Sequence, residues 1–238
     1  MTGQPTRTPG PLLAAGRSAE IFEYGEGRVL RRLRDGRSIA SSEPVVMRAV
    51  RVAGYPVPEV FEVDGGDMVI ERVAGIDMVK DIERHPWRAR RHGALLADLH
   101  NRLASIPVDP AVLTSGDVPV AYGAPDAYVH GDLHPMNVIL TEHGPVVIDW
   151  EGASIGPRDA DVAMTWLLLE IAELDSVPWY LRPIVGLVRN RLVQRFRAGV
   201  PVPSAATIRA VCDYRLTRDR NMRPAEQERI KQFMAVHG

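Results

Sequence analysis

The chain has 238 residues, 45% of them hydrophobic and 25% charged, enough for a buried core in one large domain or two small lobes and unlike a disordered protein. Its 29 Lys and Arg balance 30 Asp and Glu, so no global cationic field argues for nucleic acid as a partner. The single cysteine, Cys212, excludes an intramolecular disulfide and a cysteine-rich zinc site, and no apolar run is long enough to span a bilayer.

The opening MTGQPTRTPGP lacks the apolar stretch of a signal peptide, which predicts a cytoplasmic protein with a flexible tail over residues 1–10. Ala19–Tyr24 and Arg28–Leu33 read as strands joined at Gly25-Glu26-Gly27. Ser42-Glu43-Pro44 starts a helix whose Val46, Met47, Val50 and Ala53 recur at helical spacing until Gly54. Tyr55-Pro56-Val57-Pro58 must be extended, and Val60–Val63 with Met68–Val73 form a second hairpin around Asp64-Gly65-Gly66-Asp67.

After Gly75 the texture changes. Trp87 to Leu103 reads as a helix with Leu95, Leu96, Leu99 and Leu103 on one face, followed by a Pro/Gly-rich connection from Pro107 to Pro125. Two short apolar runs, Asn137–Thr141 and Pro145–Ile148, flank Glu142-His143-Gly144, and from Asp159 the chain is helical with breaks near Pro178, Pro183 and Pro201–Pro203. A β-rich N-lobe over 11–74 and a mainly helical C-lobe over 75–238 predict an α+β, bilobal protein.

The chemistry concentrates in His130-Gly131-Asp132-Leu133-His134-Pro135-Met136-Asn137 and, after a hairpin, Ile148-Asp149-Trp150. Phosphoryl transfer from ATP needs a carboxylate to orient the attacking hydroxyl and oxygen ligands to hold Mg²⁺. An Asp and an Asn five residues apart, with a second Asp beyond a hairpin, supply that set, and the protein-kinase catalytic loop has the same Asp-x-x-x-x-Asn spacing. A second chemistry also starts here: His130-x-Asp132-x-His134 has the composition of a hydrolytic metal site, with His143 and Asp149 as further ligands.

These residues, together with Val147–Trp150 and Gly156–Ala163, resemble the aminoglycoside phosphotransferase/choline kinase-like family. The likeness continues upstream through Val29–Arg32, the helix after Glu43 and Gly54–Pro58, and covers roughly residues 11 to 170. It implies a protein-kinase-like fold with ATP in the cleft and a small-molecule hydroxyl as acceptor. By the same resemblance Asp132 is the catalytic base, Asn137 and Asp149 are magnesium ligands, His130 braces the loop and Asp161 hydrogen-bonds it.

The sequence departs from that pattern at the phosphate-binding lysine. No lysine precedes Lys80, and Arg31 occupies the matching place. Strand alternation puts Val29 and Arg31 on one face, so Val29 is expected against adenine and Arg31 on the phosphates, with Glu43 as its partner. In the turn Ala15–Glu20, Ser18 is the expected phosphate contact. Arginine keeps the charge but is longer and planar, so an active transferase and a catalytically silent nucleotide-binding pseudokinase both remain open. Asp159, Glu170, Glu173 and Asp175 offer an acidic wall for a cationic acceptor, and Trp166, Trp179, Tyr180 and Tyr214 are the aromatics available to cage an ammonium group. The 12 basic residues after Tyr180 are spread out without aromatic interleaving and read as exposed helix surface.

Overall fold

The computed structural model describes residues 8–16, 18–34, 36–172, 178–218 and 222–238. Most of the expected tail, Arg17, Glu173 and Asp175 lie outside them.

Strands β1 (Leu12–Ala15), β2 (Ala19–Glu23), β3 (Arg28–Leu33), β4 (Val60–Asp64) and β5 (Asp67–Glu71) form one antiparallel sheet in the order β1-β2-β3-β5-β4. Its tight turns use glycine where the backbone goes left-handed, at Gly25, Gly27 and Gly65. The β3–β5 register places Val29 opposite Ile70 and Arg31 opposite Met68.

Helix α1 (Ser42–Val52) lies between β3 and β4 and buries Val46, Met47 and Val50. Gly54 ends it with φ +80°, while the N–H groups of Gly54 and Tyr55 close back on Arg51 and Val50. The extended Tyr55–Pro58 segment then ties the lobes together. The Tyr55 hydroxyl donates to the Leu99 carbonyl, its ring meets Trp150 edge-on, and the Pro56 carbonyl accepts from Val147 N–H.

The C-lobe begins with β6 (Ile76–Asp77) and α2 (Met78–Arg84), capped by the Asp77 carboxylate accepting from Lys80 N–H. Its long helix α3 (Ala89–Ser105) starts two residues later than the pattern predicts, because Pro86-Trp87-Arg88 forms a separate 3-10 turn that leaves Trp87 exposed. The connection from Pro107 hides a short helix, α4 (Pro110–Ser115). Asp109 caps it, Pro110 opens it and the left-handed Gly116 closes it. Strand β7 (Ala127–Val129) pairs with β10 (Ser154–Gly156), while β8 (Val138–Thr141) and β9 (Gly144–Val147) make a hairpin beside β6.

Helices α5 (Ala160–Ile171), α6 (Arg182–Arg197), α7 (Ala205–Arg218) and α8 (Pro224–His237) complete the lobe. Pro183 stands in the first turn of α6, where its missing N–H costs nothing. Helix α5 is buried on nearly every side, so its apolar residues show no amphipathic stripe. One core joins α1 to α3 and to Trp150 and Ile155; a second joins α5, α7 and α8 around Leu167, Val211 and Phe233. No helix among the described residues is long and apolar enough to cross a membrane.

Candidate active site

The loop after β7 is held from three sides. Asp161, in the first turn of α5, accepts the backbone N–H groups of His130 and Gly131, both at 2.7 Å. The His130 ring takes the Asp132 N–H on Nδ1 at 3.2 Å and donates from Nε2 to the Ile148 carbonyl at 3.0 Å. This fixes its tautomer and joins the loop to the strand leading to Asp149. Burial holds His130 down at about 4, so it is neutral. Burial pushes Asp161 up to about 6 against those two hydrogen bonds. Gly131 is left-handed at φ +82°, and a Cβ there would stand 2.7 Å from the Gly152 carbonyl oxygen, so the loop presses backbone to backbone on the segment after Asp149.

That clamp presents Asp132 to solvent, with its side chain 38% exposed. Asn137 Nδ2 donates to the Asp132 carbonyl at 2.9 Å and to Oδ2 at 3.3 Å, which leaves the Asn137 side-chain oxygen as a donor for a cation. His134 accepts the Met136 N–H on Nδ1, so its Nε2 carries the proton that faces Asp132 Oδ2 at 3.3 Å. Burial pushes the Asp132 carboxyl up, but the hydrogen bond from His134 and the positive surroundings that include Arg215 outweigh it, holding it below its ordinary value. The Asn137 carbonyl accepts from Ile148 N–H at 2.9 Å, which sets Asn137 beside the entry to Asp149.

Asp149 is one of two non-glycine residues among those described with positive φ, at +64°. Its half-exposed side chain lies 3.9 Å from Arg31 Nη2. Burial pushes its carboxyl up, Arg31 pulls it down, and Asp132 and Glu151 push it up again. Asp132, Asn137 and Asp149 are therefore brought together, as their spacing suggested. Oxygen donors of this kind suit Mg²⁺, which takes one or two protein ligands and completes its shell with phosphate and water.

On the opposite wall Arg31 is buried and paired with Glu43, as the lack of any other acid in that helix predicted. Val29 shares its strand face and is buried near the connection between the lobes. Arg32 points away and pairs with Asp67 instead. The Ser18 hydroxyl reaches the cleft but donates to Glu151, a residue the sequence reading passed over. Glu151 also meets Arg31 and Arg37. Its one sequence signal was its position two residues beyond Asp149.

Three expectations are corrected. The described part of the acidic wall does not assemble, Glu173 and Asp175 lying outside the described residues: Asp159 accepts from Ser204 N–H and the Thr207 hydroxyl at the start of α7, and Glu170 accepts from Trp166 Nε1. The four aromatics do not form a cage either. Trp166 is buried against Phe233 and His237, Trp179 and Tyr180 are exposed and pack on each other, and Tyr214 meets Tyr122 edge-on. Tyr122 and Tyr214 instead line a cavity of about 570 Å³ with Ser42, Glu151, Gly152 and Ser154. The hydrolase set is also missing a ligand, because His130 is buried with both ring nitrogens engaged. Among the described residues no three His, Cys, Asp or Glu side chains converge as a metal site.

Comparison with solved structures places this architecture. An ADP-bound aminoglycoside phosphotransferase, APH(2'')-Ib, matches with a TM-score of 0.56 at 14% identity, over 95% of this chain and 92% of that one. The chain has a protein-kinase-like fold of the aminoglycoside phosphotransferase type. A choline/ethanolamine kinase family protein from Mesorhizobium loti matches with a TM-score of 0.52 at 18% identity, over 94% and 88% of the two chains. Amicoumacin kinase, solved with AMP-PNP and Ca²⁺, matches with a TM-score of 0.51 at 13% identity, over 94% and 86%. The family model described as phosphotransferase enzyme family matches residues 110–177, the stretch that carries Asp132, Asn137, Asp149 and Asp161. No curated protein sequence matches. The resemblance to aminoglycoside phosphotransferases and choline kinase-like proteins thus extends from the loop motif to the fold.

Proposed function

We propose that this protein is a cytoplasmic small-molecule kinase that transfers the γ-phosphoryl group of ATP to an acceptor hydroxyl, with residues 11–74 as the nucleotide lobe and 75–238 carrying the catalytic loop and acceptor side. The observation that carries the reading is Asp132, half-exposed and held ionised beside Asn137 and Asp149 on a loop pinned by Asp161. Asp132 orients the acceptor hydroxyl and takes its proton as the new O–P bond forms and the bond from the γ-phosphorus to the bridging oxygen of ADP breaks. Arg31, steadied by Glu43, supplies positive charge to the phosphates, with Ser18 as a hydroxyl contact and Val29 against the base. Asn137 and Asp149 would hold Mg²⁺, which supplies charge neutralisation of the phosphate oxygens. The cavity lined by Tyr122, Tyr214 and Gly152, whose Gly152 backbone packs on Gly131 of the catalytic loop, is the acceptor pocket this reading assigns. Buried Cys212 suits a reducing compartment.

A silent nucleotide binder is the second reading, favoured by arginine in the lysine position. Titration with AMP-PNP, with and without Mg²⁺, followed by an acceptor screen for ADP release, separates the two. Active kinase predicts Mg²⁺-dependent binding that Asp149→Ala abolishes, and turnover that Asp132→Ala lowers at least ~10³-fold while AMP-PNP affinity stays within a few-fold. Binding without turnover on amino alcohols, sugars and amino acids supports the silent reading. No nucleotide binding overturns both.

A further inference from the structure

The chemistry above leaves Glu151 without a role, yet its carboxylate gathers donors from three separate segments of the N-lobe. Ser18 Oγ, from the β1–β2 turn, donates to Oε2 at 3.0 Å. Arg31 Nη2, on β3, stands 3.5 Å from the same oxygen. Arg37 Nη2, on the connection between β3 and α1, donates to Oε1 at 3.3 Å. One hydroxyl and two guanidinium groups facing a single anion are the donor set that binds phosphate oxygens. Arg31 already has the Glu43 carboxylate on Nη1 and Asp149 at 3.9 Å, so Glu151 is a third anion around one guanidinium. Like charges this close repel one another. Glu151 is one-third exposed and Arg37 just over half, so both side chains can swing without unpacking a core.

We propose that Ser18, Arg31 and Arg37 together form a phosphate site whose place is held by the Glu151 carboxylate until a nucleoside di- or triphosphate displaces it. The proposal rests on the nucleotide reading above and adds two things to it. Arg37 becomes a phosphate contact, and Glu151 becomes a competitor that weakens nucleotide affinity and ties the Asp149 segment to the N-lobe before binding. On release, one anion exchanges for another on the same donors, so the charge on the two arginines stays matched.

Calorimetry of the full chain with adenosine and with ADP, both in EDTA so that no metal contributes, isolates the phosphate contacts. Glu151→Gln should bind ADP about threefold to tenfold tighter than wild type, and Arg37→Ala several-fold weaker, with adenosine affinity unchanged in both. Thermal melts confirm that each variant is folded, and Arg37→Ala tests the site by itself should Glu151→Gln fail to fold. Unchanged or weaker ADP binding by folded Glu151→Gln overturns the proposal, as does Arg37→Ala binding ADP like wild type. In both cases wild-type ADP binding leaves the kinase reading standing. Wild type binding no ADP in EDTA overturns the proposal, and wild type binding no AMP-PNP with Mg²⁺ either overturns the kinase reading with it.

Discussion

One guanidinium nitrogen of Arg31 stands 2.8 Å from both carboxylate oxygens of Glu43, tying the central strand of the sheet to helix α1. Both side chains are buried, at 8% and 3% exposure. Burial pushes the Glu43 carboxyl up and the guanidinium pulls it back, with Asp149 and Glu151 adding to the upward push. Arginine thus makes the strand-to-helix pair that a kinase-like lobe ordinarily makes with lysine.

Breaking that pair should destabilise the protein far more than removing it whole. Arg31→Ala leaves a buried, unpaired carboxylate and should cost about 3–5 kcal/mol, a fall in Tm on the order of 10 °C. The double variant Arg31→Met, Glu43→Leu should recover most of that loss yet bind AMP-PNP poorly. A melt of Arg31→Ala within a degree or two of wild type would show that the pair carries no structural weight.

Asp161 predicts opposite pH trends for stability and turnover. Its folded value of about 6 lies above the unfolded value near 3.9, so the folded protein binds the extra proton between about pH 4 and 6. Its contribution to stability is therefore present below that window and lost as pH rises through about 6, amounting to about 2–3 kcal/mol. Turnover runs the other way, because only the ionised carboxylate accepts fully from both His130 and Gly131 N–H. In Asp161→Asn the stability slope over pH 4–6 should become shallower and turnover low throughout; an unchanged slope assigns it to another group.

Gly131→Ala tests the close approach of the catalytic loop to Gly152. A methyl group at φ +82° and 2.7 Å from a carbonyl oxygen must move backbone. The expected cost is about 1–3 kcal/mol, with turnover down more than tenfold and AMP-PNP affinity within a few-fold. Wild-type kcat in a folded Gly131→Ala would mean that the loop tolerates a shifted Asp132.

The fate of Asp159 separates a structural carboxylate from a substrate contact. It accepts from Ser204 N–H at 2.8 Å, and Ser204 Oγ in turn caps Thr207 N–H. Asp159→Ala should lower stability by about 1 kcal/mol. The KM for any cationic acceptor should not change; a severalfold rise would restore the acidic wall.

The strands, the helix from Ser42 and the loop set Asp132, Asn137 and Asp149 were legible in the sequence because their signals are local. Alternation of period two, helical spacing, turn glycines and a five-residue offset all act within a dozen residues, and backbone geometry turns them directly into structure. The Arg31–Glu43 pair was legible by exclusion, since α1 offers no other acid. What folding alone decided is who meets whom across long separations. Ser18 and Arg37 reach Glu151 over 133 and 114 positions, and Asp159 meets Ser204 over 45. No short-range pattern marks such partners. Which carboxylate faces a cation and which caps a helix depends on how the lobes and helices pack, because packing sets the direction in which each exposed charge points.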